Sequence, residues 1–208
     1  NWWYRRTEQS RADGSKSTVY CNKYGNEMLS ILSSGGDVWY KFTKYDDDGR
    51  PILSTDAAAV TGYDDTKPDL LDFDPGTGKY EYLSDTDGLL TWTDYWDETN
   101  TSGGAKGYKK AERIQHGQTG TSITLREWEY TSHSFGEQEI FPVAKEIVFP
   151  DESDPTRKIE TSYDYTFHTD TLQVQEKSTT LPVIPGSQNG SGTANSFVDV
   201  FDIASNRI

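Results

Sequence analysis

Lys158-Ile159-Glu160-Thr161-Ser162-Tyr163-Asp164-Tyr165-Thr166-Phe167-His168 alternates without a break. Ile159, Thr161, Tyr163, Tyr165 and Phe167 fall on one side, and Glu160, Ser162, Asp164, Thr166 and His168 on the other. A period of two in β-branched and aromatic residues predicts a strand with one buried face. Asp37–Lys44 repeats the pattern, with Val38, Tyr40 and Phe42 against Trp39 and Lys41. So does Ser122–Ser132, with Ile123 and Leu125 against Thr124, Arg126, Trp128 and Tyr130. Shorter candidates are Ser17–Tyr20, Glu27–Leu32, Lys79–Leu83, Leu89–Trp96, Glu139–Phe149, Leu172–Thr180 and Phe197–Asp202. Lys109–His116 is the nearest approach to an amphipathic helix, but it is short and flanked by glycine. Turn clusters punctuate these runs, at Ala12–Gly14, Asp46–Gly49, Asp74–Gly76, Asp85–Gly88, Ser102–Gly104 and Gln188–Gly192. Many short strands at even spacing predict an all-β, antiparallel protein with little or no helix.

Composition narrows the function classes. Twenty Lys and Arg against thirty-four Asp and Glu leave a formal charge of −14 over 208 residues. Phosphate contacts need cations, so nucleic acid is not the expected partner. No apolar run is long enough for a membrane-spanning helix. One cysteine, Cys21, excludes an internal disulfide framework and a Cys-rich zinc site. Thirteen Tyr, eight Phe and six Trp bury enough area per residue to offset a shortage of Leu and Ile, which separates the chain from disordered acidic sequences. The chain starts at Asn1 without Met or a leader, and is expected to be a processed chain or a piece of a longer one. An acidic surface rich in Thr, Tyr, Gly and Asn is common among secreted β proteins.

The turn clusters share a form. Asn22-Lys23-Tyr24-Gly25, Asp46-Asp47-Asp48-Gly49 and Asp85-Thr86-Asp87-Gly88 each place Asn or Asp three residues before Gly. Asp202-Ile203-Ala204-Ser205 keeps the Asp, and Tyr63-Asp64 is a copy without the Gly. Tyr20, Tyr45, Tyr82 and Phe201 stand just upstream. The physical reading is a hairpin. Asp or Asn opens a type I turn and accepts the turn's own N–H groups. Gly supplies the left-handed conformation that closes it as a bulge. The ring ends one strand and packs. A β-branched residue resists positive φ, so Gly49→Val is expected to cost a few kcal/mol.

Tyr45-Asp46-Asp47-Asp48-Gly49-Arg50, with Asp56 downstream, resembles the YD repeat of Rhs-type and teneurin-type proteins, which reads Tyr-Asp, two residues, Gly-Arg and a later Asp. Ala57 stands where a Gly often follows that Asp. Phe201-Asp202-Ile203-Ala204-Ser205-Asn206-Arg207-Ile208 resembles a second copy, with Phe for Tyr and Ser for Gly. Thr179–Ile184 followed by Gln188–Gly192 resembles segments of large bacterial YD-repeat surface proteins. Residues 104–162 carry no copy. The resemblance implies a strip of hairpins that spirals into a hollow shell, around a toxic domain in Rhs and insecticidal toxin proteins and within an adhesion ectodomain in teneurins. It further implies a structural, non-enzymatic role in encapsulation or display. The expected location is extracellular or on a bacterial cell surface. The expected partners are neighbouring repeats of the same chain and an enclosed domain or a glycan. Residues 1–208 are then one all-β segment, and an isolated strip of this kind is expected to be marginal or aggregation-prone, because its edges are open.

Chemical alternatives stand beside this reading. Asp46, Asp47, Asp48, Asp72, Asp74, Asp85 and Asp87 give Ca²⁺ a possible home in Asp-rich turns, although no D-x-D-x-D-G loop occurs and turn formation explains them as well. Trp92, Asp94 and Trp96 share one strand face and offer a possible sugar-binding platform. Glu127, Trp128, Glu129 and Tyr130 repeat the aromatic–acid mixture, and a glycosidase would need two carboxylates at a set separation. Cross-strand packing explains both groups without a ligand. His116, His133 and His168 lack metal-ligand spacing, and Cys21 reads as a buried or idle thiol. There is no nucleophile elbow and no phosphate loop. Trp2, Trp3, Tyr4, Arg5 and Arg6 suit an interface or the outermost rung of a sheet. No catalytic residue and no cofactor is expected.

Overall fold

A computed structural model describes residues 2–152, 154 and 156–208. Asn1, and with it the start of the aromatic–basic segment, lies outside the described residues. So do Ser153 and Pro155 in the polar break 151–157. About half of the chain is strand, and nearly all of its regular structure is β: β1 (Trp3–Ser10), β2 (Lys16–Asn22), β3 (Glu27–Ser34), β4 (Asp37–Tyr45), β5 (Pro51–Thr55), β6 (Phe73–Asp74), β7 (Lys79–Tyr80), β8 (Leu89–Tyr95), β9 (Lys109–His116), β10 (Ile123–Tyr130), β11 (His133–Phe135), β12 (Gln138–Ile140), β13 (Val143–Val148), β14 (Ile159–Phe167), β15 (Val174–Thr180) and β16 (Ser196–Val200). The one helical element among the described residues is a 3₁₀ turn at Gly186–Gln188. Twelve strands form an antiparallel sheet in the order β1-β2-β3-β4-β5-β8-β9-β10-β13-β14-β15-β16, and β6-β7 and β11-β12 form separate two-stranded hairpins. The order follows the chain except where short hairpins are set aside, as expected of successive antiparallel connections.

Four expectations change in detail. Lys109–His116 is a strand, β9. Gly107 and Gly117, both at positive φ, bound a segment too short to sustain a helix alone, and ladder bonds decide its conformation. Pro51–Thr55 is an additional strand, with Pro51 in its first position, where a missing N–H is tolerated. Lys79–Leu83 pairs only through Lys79–Tyr80, and Leu83 makes an isolated bridge to Val60. Glu139–Phe149 breaks in two around Phe141-Pro142.

The chain divides into two compact units, residues 1–93 with 113–123 and residues 94–112 with 124–208. In the first, β2 to β5 and β8 bury one face, which carries Tyr20, Leu29, Ile31, Phe42, Leu53 and Leu90. The excursion between β5 and β8 folds onto that face and adds Ala59, Val60, Leu70, Leu71, Tyr80 and Leu83 to the same core. Leu70 and Asp72 adopt positive φ to make this return. Lys44 extends into the core margin, where its ammonium donates to Tyr80 Oη at 2.6 Å and lies 4.5 Å from the centre of the Phe73 ring. Burial holds its pKa below the usual lysine value.

The second unit is built differently. It has few buried side chains: Ala105 in a loop, and Ala111, Ile147 and Thr179 on strands, among the described residues. β14 has the predicted alternation, but the Ile159–Phe167 face is only half covered, and Ile159 is 42% exposed. Its rings are met by neighbouring strands and, at Phe167, by the β11-β12 hairpin. The His133 ring stacks on Phe167 at 3.6 Å, Tyr165 Oη donates to the Val143 carbonyl at 2.8 Å, and Lys177 lies 4.3 Å from the Tyr163 ring centre.

Candidate functional site

The Tyr45–Arg50 turn is closed by its own residues. Asp46 N–H donates to the Arg50 carbonyl at 2.9 Å, and Gly49 N–H to the Asp46 carbonyl at 3.1 Å. Asp46 Oδ1 accepts the N–H groups of Asp48 and Arg50 at 3.0 and 2.8 Å. Its Oδ2 takes Arg50 Nε and a terminal guanidinium nitrogen, each at 2.7 Å. One carboxylate thus divides its work, with Oδ1 holding two backbone donors and Oδ2 two guanidinium nitrogens, and the charge strengthens each of these bonds. Gly49 has φ +81°, the conformation the bulge demands. Tyr45, at the strand end, sends its hydroxyl to the Glu27 carbonyl at 3.0 Å.

Two other copies repeat this geometry. At Asn22, Gly25 N–H donates to the Asn22 carbonyl, and Oδ1 accepts the N–H groups of Tyr24 and Asn26, both at 3.0 Å. Gly25 has φ +86°, and the turn joins the paired strands β2 and β3. At Asp202, Ser205 N–H donates to the Asp202 carbonyl, and Oδ1 accepts from Ala204 and Asn206, both at 2.9 Å. Ser205 takes the glycine position at φ +65°. Asn206 Nδ2 donates to both Asp202 oxygens, the place Arg50 fills at Asp46. The Asn206 hydrogen bond holds the Asp202 carboxyl below its ordinary pKa.

A further copy escapes the sequence reading. Asn100 Oδ1 accepts the N–H groups of Ser102 and Gly104 at 2.9 and 3.1 Å, Asn100 N–H donates to the Gly104 carbonyl, and Gly103 has φ +93°. Asn100-Thr101-Ser102-Gly103 has the Asn-x-x-Gly form of residues 22–25. Its upstream ring, Trp96, is separated by three polar residues, which hid it.

Asp85–Gly88 is a correction. It is not a hairpin turn. Leu83, before it, bridges Val60, and β8, after it, pairs with β5. The segment is instead clamped by its surroundings. Asp85 receives Lys79 Nζ at 2.9 Å, and its carbonyl accepts the Thr119 N–H and hydroxyl at 3.0 and 2.7 Å. The N–H of Asp87 turns to Ser84 Oγ. Gly88 still has φ +77°, for a second reason: a Cβ there would lie 2.1 Å from the Ala59 backbone nitrogen. The spacing matched, but a tertiary contact rather than a turn selects this glycine.

The upstream rings differ in depth. Tyr20 is fully buried between Trp3 and Tyr63, at ring-centre distances of 5.2 and 5.5 Å, and burial raises its pKa. Tyr82 is half-buried against the same core, and Phe201 is half-buried where it bridges Arg207.

The Asp-rich turns spend their carboxylates locally. Arg50 bridges Asp46 and Asp48, Asp74 accepts Gly76 N–H and Thr77 Oγ1, and Lys67 pairs with Asp72. Among the described residues no group of three or more His, Cys, Asp or Glu is placed to hold a metal ion. The three sugar-platform candidates divide between the units. Trp92, in the first, packs half-buried against the core, and its indole N–H donates to Gln115 Oε1 at 3.0 Å. Trp96, in the second, donates to the Trp128 carbonyl at 3.2 Å and carries the Lys110 ammonium 4.6 Å from its ring centre. Asp94 is half-buried. Both indoles are thus committed internally. In Glu127–Tyr130, Glu129 pairs with Lys145 at 3.1 Å, and the Tyr130 hydroxyl donates to the Lys109 carbonyl. Burial raises the Tyr130 pKa to about 12. His116 is exposed, His133 and His168 bind the carbonyls of Thr171 and Phe201, and Cys21 is a half-buried free thiol.

In comparison with known proteins, no family model matches the chain and no curated protein matches it. No helix among the described residues is long and apolar enough to cross a membrane.

Proposed function

We propose that the chain is an architectural strip of a YD-repeat-type protein, exported or displayed on a bacterial surface, whose antiparallel hairpins form part of a wall that encloses or presents another element. The observation that carries the reading is one turn design used repeatedly. At Asn22, Asp46 and Asp202 a side-chain oxygen takes two N–H groups of its own turn, a left-handed residue closes it, and an aromatic residue stands upstream. The Asp46–Arg50 pair adds the guanidinium of the YD motif to the same carboxylate. The terminal strands support it too. β1 is exposed along nearly its whole length, and β16 exposes Phe197 and Val198. Both stand at the ends of the strand order with no outer strand beside them, although Trp3 N–H already donates to the Pro68 carbonyl and Ile208 N–H to the Val200 carbonyl.

The test is hydrogen exchange on the intact natural protein. Outward-directed amides of β1 and β16 should be protected there by neighbouring rungs. Amides at both edges that exchange as freely as open loop would overturn the proposal.

A further inference from the structure

The tryptophans separate into two kinds. Trp3, Trp92 and Trp96 donate their indole N–H groups to internal acceptors. Trp39 does not. It is 44% exposed on β4, and its indole N–H has no partner among the described residues. Alternation along β4 puts Phe42 in the core and Trp39 and Lys41 on the opposite face.

That face is grooved. Ladder register sets Trp39 beside Leu32, Lys41 beside Ser30, and Ser54 beside Thr91. Short hydroxyl side chains form a floor between taller neighbours, and the result is an open groove of about 580 Å³ that Arg11 and Asp56 also line. Lys41 and Arg11 make no ion pair among the described residues. Asp56 holds the N–H groups of Ala58 and Ala59 with Oδ1, and its Oδ2 has no hydrogen bond among the described residues.

We infer that this groove, centred on Trp39, binds an uncharged saccharide whose pyranose face lies against the indole. The chemistry of the lining selects that ligand. An exposed indole offers a flat, polarisable face to the axial C–H groups of a sugar ring. Around it stand donors (Lys41, Arg11), an acceptor (Asp56) and groups that do both (Ser30, Ser54, Thr91), the mixture that vicinal hydroxyls require. The lining holds two cations, Arg11 and Lys41, against the Asp56 carboxylate, so it has no strong local charge of either sign, and at longer range an anionic ligand meets the field of a chain at −14. The site is independent of the architectural reading: a strip can display a glycan-binding face, and failure of either proposal leaves the other standing.

The experiment is an array of neutral hexasaccharides of glucose, mannose, galactose and N-acetylglucosamine, with polyuronates and acidic peptides printed alongside. Titration calorimetry with the best neutral binder follows. Trp39→Ala should weaken binding about tenfold or more, Trp39→Phe should retain most of it, and both should melt as wild type. Lys41→Ala, at an exposed residue, should weaken it about threefold, and 0.5 M salt should change affinity by less than about twofold. The inference is overturned if no neutral glycan binds or if Trp39→Ala binds as wild type. It is equally overturned if the tightest ligand is a polyuronate or acidic peptide released by salt.

Discussion

The two units share strand chemistry and differ in what covers it. The first sends residues 56–88 back across its sheet, and Leu70, Leu71 and Tyr80 seal a core with Phe42, Leu53 and Leu90. The second sets aside only the short β11-β12 hairpin, whose His133 meets the Phe167 ring, and its best alternating strand, β14, keeps its rings half exposed. Alternation therefore reports strand formation reliably but burial only conditionally. A face is buried when another layer reaches it, and that layer is supplied by a distant, irregular segment.

Deletion of rings is the sharpest way to test this contrast. Phe42→Ala, at a fully buried site, should cost about 3–5 kcal/mol in chemical denaturation. Phe167→Ala, where the ring stacks on His133, should cost about 1 kcal/mol. Equal costs would mean that the second unit has a hidden core. A comparison of two glycines comes next. Gly88→Ala drives a methyl into the Ala59 backbone and should cost several kcal/mol, about as much as a strained and overpacked site together. Gly49→Ala has the same sign of φ but meets nothing closer than Asn26 Nδ2 at 3.7 Å, so only the left-handed penalty of about 1–2 kcal/mol applies. Thermal melts of the two variants distinguish a tertiary glycine from a turn glycine.

Asp46→Ala strips two backbone hydrogen bonds and the Arg50 pair from a mostly exposed turn. About 1–2 kcal/mol should be lost, with amide exchange rising locally at Asp48 and Arg50. A change below the error of the melt would show that the backbone alone sets the turn. Acid gives the smallest effect. Asp64, Asp74 and Asp202 are held below the ordinary carboxylate range, chiefly by hydrogen bonds from Thr66, Gly76 and Asn206. A folded-state pKa below the unfolded one contributes stability that is complete above about pH 5, a unit above the unfolded value, and is lost as pH falls through the folded value. Melting temperature should be flat from pH 7 to about 5 and fall below about 4. Asp202→Asn, which keeps the acceptor, should shallow that fall.

The site was legible in the same uneven way. Asn22, Asp46 and Asp202 announce their turns because every partner lies within four residues, so the motif and the geometry are one object. Asn100 obeys the same rule and was hidden by its distant ring. Asp85-x-x-Gly88 has the right letters, but its partners are Lys79, Ser84 and Thr119, and its glycine answers to Ala59 across the core. Trp92 and Trp96 look like a platform in the sequence because two-residue spacing puts them on one face. Spacing says nothing about whether an indole N–H has already been taken, and in both it has.

The amino-acid sequence alone determined the all-β class, the antiparallel succession of hairpins and the turns at 22–26 and 46–50. Each depends on interactions a few residues apart, and those are written in order along the chain. Only the tertiary structure decided which faces are covered, why Gly88 must be glycine, and that the Trp39 indole is left exposed while the Trp92 indole is taken. Those outcomes depend on where residues 56–88 land, and the fold of an irregular segment is set by contacts it makes far from itself in sequence.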